Sequence, residues 1–124
     1  MKGDYKVKKV LGIDIGGTKI RMGVVNETGE VLADITVPTE LPLYPYLEEQ
    51  VLKIKDQFPD ISGVGIGTRG MVDAETGTVT FEKELPGWEG TPVKPLLETA
   101  TGLRVELNND ANCAALAEAR IGAG

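Results

Sequence analysis

The chain of 124 residues has no histidine and a single cysteine, Cys113. One cysteine excludes an internal disulfide, and without histidine the residue types of most zinc sites are missing. No zinc is expected in this chain, and a reducing compartment fits best. Aromatic residues make up only 5% of the chain against 16 glycines, which points to many tight turns around an aliphatic core. Long apolar runs are lacking too, since no stretch approaches the roughly 20 apolar residues that a membrane helix needs. The opening "MKGDYKVKKV" is basic but runs into a short strand broken by Asp14, without the apolar core of a signal peptide. No membrane partner and a cytoplasmic location are therefore expected. Positive charge is also in deficit, with 13 Lys and Arg against 19 Asp and Glu and a formal net charge of -6. Nucleic acid is not expected as a partner, because its non-specific affinity comes largely from basic side chains meeting phosphates. Any anionic ligand must be held by local groups.

What is present is globular: 41% hydrophobic and 26% charged residues, in a length that suits one domain with a core of its own. The most distinctive stretch is "VLGIDIGGTKIRMGVV", Val10 to Val25, which reads as strand, tight turn and strand. Gly16 and Gly17 leave no side chain in the way and can take backbone angles closed to other residues, so their N–H groups could approach an anion. Thr18 adds a hydroxyl, Lys19 a cation, and Asp14 a carboxylate of the kind that works beside phosphates through Mg²⁺ or its waters. Taken alone, these residues fit either a phosphate-receiving turn or a plain glycine hairpin with a solvated Lys19. They do not form a Walker loop, because GxxxxGK[ST] opening a helix is absent.

Further along, "NETGE" predicts a second turn and "VLADITVPT" a third strand ending near Pro38, giving an antiparallel meander. Pro42 and Pro45 bracket an expected loop. Leu47, Val51, Ile54 and Phe58 then fall at helical spacing within Tyr46 to Phe58, and Pro59 closes that helix. "ISGVGIGT", Ile61 to Thr68, reads as a strand buried on both faces. "MVD" and "TVTF" pair across "AETG" as a small hairpin in a turn-rich excursion, with Trp88 as a packing anchor. "VKPLLETATG" predicts a helix ended by Gly102, "LRVELNN" a strand, and "DANCAALAEARIG" a last helix with Cys113 as a small core residue. The expected order is βββαβαβα.

Two further places carry chemistry. Asn109 and Asp110 lie between a strand's carboxyl end and a helix's amino end, the edge where open α/β sheets bind ligands. Asp110 there is either a helix cap or a functional carboxylate, and Asn109 adds donors and acceptors suited to hydroxyl groups. Gly70, in "GTRGMVD", follows a buried strand at the same edge, either for steric reasons or to bring backbone close to a ligand.

In order and spacing, "LGIDIGGTKIRMGVV", "GVGIGTRGMVD", "LPGWEGTPVKPLLE" and "TGLRVELNNDANCAALAEARIGAG" closely resemble the amino-terminal domain of the ROK family, the repressors, open reading frames and kinases. The resemblance implies an α/β domain of the actin-like, ribonuclease-H-like ATPase fold, with a mixed five-stranded sheet and helices on both faces. It implies ATP and Mg²⁺ as cofactors, with Asp14 on the Mg²⁺ side and Gly16, Gly17, Thr18 and Lys19 at the phosphates. It implies a hexose-type sugar held by Gly70, Asn109 and Asp110, with Asp110 as general base. Glu118 matches a recurrent glutamate of the family. The resemblance makes residues 1–124 the amino-terminal domain of an ATP-dependent sugar kinase such as a glucokinase, without its carboxyl-terminal domain, and a homo-oligomer is expected of the full-length protein. The sugar-sensing domain of a ROK repressor is the alternative, although only a few residues precede Val10, where such repressors carry a DNA-binding domain. Three positions depart from the family's usual pattern and bear on which sugar is taken: Arg69 for proline, Glu84 for asparagine and Asn108 for glutamate.

Overall fold

The computed structural model describes residues 9–109. The meander forms as expected, from β1 (Lys9–Ile15), β2 (Lys19–Asn26) and β3 (Val31–Pro38). The turn between β2 and β3 is locked by Asn26, whose side-chain oxygen accepts the N–H groups of Thr28 and Glu30 at 3.1 and 2.9 Å. Helix α1 spans Leu43–Gln57 and begins earlier than its apolar spacing suggests. Pro45 is not in a loop but in the first turn of α1, where its missing N–H has no helical partner to lose. Leu43 therefore joins Leu47, Val51 and Ile54 on the buried stripe. Strand β4 (Ile61–Thr68) is buried at every residue but Ser62, as a central strand requires. The hairpin of β5 (Met71–Asp73) and β6 (Thr78–Phe81) forms a separate two-stranded sheet. Helix α2 (Val93–Thr101) ends at Gly102, whose φ of 73° is the left-handed conformation that stops a helix. Strand β7 (Arg104–Asn108) follows, and the last expected helix, with Cys113 and Glu118, lies outside the described residues.

The main sheet has five strands in the order β3-β2-β1-β4-β7. Strands β1, β4 and β7 run parallel, and β2 is antiparallel to β1 and β3. From β3 to β4 and from β4 to β7 the chain moves in one direction across the sheet. Crossovers of the usual right hand then place α1 and α2 on one face, and the two helices touch. That face carries Leu11, Ile13 and Ile15 of β1, Ile20, Met22 and Val24 of β2, Val64 and Ile66 of β4, and Val105 and Leu107 of β7, all in one core with the helix stripes. Among the described residues the helices thus cover one face, and the residues expected to form the last helix lie outside them.

Period-two alternation puts the remaining side chains on the opposite face. One row runs Thr36, Arg21, Asp14, Gly67, Asn108 across all five strands, and the next runs Asp34, Gly23, Gly12, Gly65, Glu106. The second row has three adjacent glycines at its centre and carries its charges at the rims.

Candidate functional site

The parallel register decides what meets at the carboxyl edge. Ile15 of β1 lies beside Thr68 of β4, and Gly67 beside Asn108 of β7. One residue further on, Gly16, Arg69 and Asn109 leave their strands side by side. Three segments distant in sequence thus share one edge, about 5 Å apart from strand to strand.

The first segment is the turn 16–18. It is closed by the Gly16 N–H donating to the Lys19 carbonyl at 3.0 Å. Neither Gly16 nor Gly17 takes a positive φ, contrary to the expectation of unusual backbone angles. Glycine is required by close approach instead: a Cβ on Gly16 would stand 3.0 Å from the Lys19 carbonyl oxygen, and one on Gly17 3.3 Å from Nη1 of Arg69. Because the Gly16 N–H is engaged, the amides left to face an anion are those of Gly17 and Thr18. Thr39, just past β3, clamps the turn from the side, donating its N–H to the Thr18 carbonyl at 2.9 Å and its hydroxyl to the Gly16 carbonyl at 3.0 Å. It belongs to no motif, so nothing in the sequence singled it out.

Beside this turn, on the face away from the helices, Asp14, Gly16, Lys19, Arg21, Asp34 and Thr36 line a cleft of about 490 Å³. Asp14 is exposed there, because it is the out-facing residue of β1 next to the buried Ile13 and Ile15. Arg21 is its direct partner across β1 and β2. The Arg21 guanidinium donates to both carboxylate oxygens of Asp34, Nε at 3.1 Å and Nη2 at 2.8 Å. These hydrogen bonds hold the Asp34 carboxyl below the usual carboxylate range and raise Arg21 above its ordinary value. The cleft therefore offers one cation, Lys19, and one carboxylate, Asp14, that are not tied to each other. Carboxylate oxygen is the hard donor Mg²⁺ prefers, and one or two carboxylates with retained waters suffice for it, so the donor set fits that ion. Among the described residues no group of three or more acidic or sulfur ligands gathers around a common point.

The second segment is the turn 69–70. Gly70 has φ of 90°, and a Cβ there would fall 2.3 Å from the Phe81 carbonyl oxygen. Its glycine is thus demanded by the protein's own packing, whatever its backbone also contributes to a ligand. Trp88 is fully buried and donates Nε1–H to the Thr68 hydroxyl at 3.0 Å, pinning the "LPGW" loop under the end of β4 as an anchor. Arg69 forms ion pairs with Glu82 and Glu84, neither of which the sequence motifs connected to it.

The third segment begins at Asn109, which the register of β7 delivers to the same edge, with its N–H near Oδ1 of Asn108 at 3.3 Å. Asp110, the expected general base, is the next residue and lies outside the described residues.

Comparison with known proteins gives this arrangement its relatives. The glucokinase of Thermotoga maritima is 36% identical over 94% of this chain. The N-acetyl-D-glucosamine kinase of Vibrio vulnificus is 41% identical over 87% of it. The chain spans 38% and 37% of their respective lengths, so it matches about two fifths of each. Among solved structures, a ROK family glucokinase from Streptomyces griseus in complex with glucose and AMPPNP superposes with a TM-score of 0.72 at 38% identity, over 92% of this chain and 37% of that one. The shared five-stranded mixed sheet is that of the actin-like ATPase fold, and no described helix is long and apolar enough to cross a membrane. The family model of the ROK family matches residues 10–124, from the first residues of β1 through the segment that follows Asn109, and the chain belongs to that family.

Proposed function

We propose that this chain forms one wall of the active site of an ATP-dependent sugar kinase, which transfers the ATP γ-phosphate to a hydroxyl of a hexose or N-acetylhexosamine. The observation that carries the proposal is the convergence of the 16–18 turn, the 69–70 turn and Asn109 on one sheet edge, since phosphoryl transfer needs an acceptor and a phosphate chain brought together in line. The kinase names of the two curated relatives, and the glucose and AMPPNP of the solved one, support the substrate class.

In this reading the amides of Gly17 and Thr18, with Lys19, receive the phosphates, and Asp14 holds Mg²⁺ through water. The ion, when bound, neutralises phosphate charge that would otherwise repel the incoming hydroxyl. Asn109 hydrogen-bonds sugar hydroxyls, and the backbone at Gly70 lines the sugar side. Asp110 accepts the proton of the attacking hydroxyl as the new P–O bond forms and the bond to the leaving ADP oxygen breaks. The sugar-sensing alternative has no use for Asp14 and Lys19 in a cleft beside a glycine turn.

A longer protein that carries this chain tests the assignment. Asp14→Ala is expected to lower Mg²⁺-dependent turnover far more than sugar affinity, measured by a coupled kinase assay beside calorimetric titration with glucose alone. A larger defect in sugar binding would reverse the two sides of the site, and sugar binding with no nucleotide response in the unmutated protein would favour the sensor.

A further inference from the structure

Arg69 stands between the two glycine turns and is held from behind. Its Nε lies 3.6 Å from Oε2 of Glu82 and its Nη2 3.0 Å from Oε2 of Glu84. The Glu82 side chain is only 3% exposed, and its other oxygen, Oε1, accepts the Glu84 N–H at 2.5 Å. The Glu82 N–H in turn donates to Oε1 of Glu89 at 3.0 Å. A carboxylate this deep requires a cation, so Glu82 fixes the inner edge of the guanidinium. Compensating Glu82 does not account for the rest. Glu84 is largely exposed, and an exposed ion pair adds little to stability, yet it captures a second nitrogen of the same fork. The third nitrogen, Nη1, is aimed at the phosphate turn, 3.3 Å from where a Cβ on Gly17 would lie. Arg69 and Glu84 are also two of the three positions at which this chain departs from the usual ROK pattern, and the structure joins them in one ion pair.

We propose that Arg69 contacts the terminal phosphoryl group of the nucleotide, presenting the edge that carries Nη1 from the sugar turn while Glu82 and Glu84 hold the guanidinium in place. The inference rests on the kinase reading above. A planar, positively charged guanidinium suits phosphate oxygens, so it offsets charge on the group in transfer. Because it reaches the turn from the acceptor side, it should sense the γ-phosphate and not the α- and β-phosphates.

The test uses a longer protein that carries this chain and the rest of the kinase, labelled with ¹⁵N and titrated with Mg-ATP and Mg-ADP. Both nucleotides are expected to shift the amide signals of Gly17 and Thr18, whereas only ATP should shift the Arg69 Nε–Hε signal. Arg69→Lys keeps a cation opposite Glu82 but loses the fork. It should lower ATP affinity by roughly tenfold, as loss of one charge-assisted hydrogen bond does, and leave ADP affinity unchanged. An Arg69 signal that ignores ATP or responds alike to ADP, or a lysine variant that keeps the full preference for ATP, would overturn the role of Arg69 while the kinase reading stands. No response at Gly17 and Thr18 to either nucleotide would overturn both. If the lysine variant unfolds, the Arg69 signal of the unaltered protein decides alone.

Discussion

Gly70 shows how a single residue can be over-determined. Its φ of 90° is a conformation that disfavours any side chain, and the Phe81 carbonyl fills the space a Cβ would need. Gly70→Ala should therefore destabilise the fold by about 3 kcal/mol, combining the strain of a left-handed non-glycine residue with an overlap that β6 must move to relieve. Urea unfolding of the purified variant measures it, and a change below about 0.5 kcal/mol, the scatter of neutral surface changes, would mean that the 69–70 turn rearranges freely. Asp110 makes the opposite case, because the role proposed for it is chemical. In a longer protein carrying the rest of the kinase, Asp110→Asn is expected to lower kcat by about 10² to 10⁴, the usual contribution of a general base, with little change in sugar affinity. Turnover close to normal would assign Asp110 to capping the helix instead.

At the scale of elements, the site depends on how the end of β4 is held. Strand β4 supplies core side chains to one face and glycines to the other, and its last residue, Thr68, is buried under Trp88. Trp88→Phe removes the indole N–H that Thr68 accepts and leaves a gap in the core beneath the 69–70 turn. A loss of about 2 to 4 kcal/mol is expected, from a buried hydrogen bond and incomplete repacking together. Thermal unfolding gives the value, and an unchanged midpoint would show that the "LPGW" loop is not what secures that turn. Helix α1 works from the other side of the core, and its C-terminal end is tied to α2 by Lys55, whose ammonium donates to the Thr101 carbonyl. The two helices thus brace the parallel strands β1, β4 and β7, whose ends form the edge.

For the molecule as a whole, one core joins the five strands to both helices, so the chain should unfold cooperatively by itself. The candidate site is different: its cleft is open, Asp14 is exposed, and nothing described closes over the 16–18 turn. Phosphoryl transfer requires a nucleotide surrounded and shielded from water. The isolated chain is therefore expected to be folded and inactive as a kinase. Its thermal unfolding curve, run beside an assay with ATP, Mg²⁺ and a panel of hexoses and N-acetylhexosamines, checks both halves of that expectation. Steady turnover by this chain alone would overturn the view that it forms one wall of a larger site.

The sequence alone determined the elements whose signals are local. Alternating apolar residues predicted β1 to β3, the spacing of Leu47, Val51 and Ile54 predicted α1, and Gly102 predicted the end of α2. The motifs around Gly16, Gly70 and Asn109 were legible for the same reason, because each is a short run whose residue types carry their own chemistry. The start of α1 was misread, since proline in a first helical turn and proline in a loop have the same local signature. The reason for Gly16 and Gly17 was likewise misread: what excludes a side chain there is the Lys19 carbonyl and Arg69, and Arg69 lies in the turn that follows another strand. Only the tertiary structure could pair Arg21 with Asp34, set Thr39 against the 16–18 turn, and gather Arg69, Glu82 and Glu84 beside the two glycine turns. Those contacts depend on strand register and crossover direction, which arise from packing the whole sheet against its helices and leave no trace in the spacing of the residues concerned.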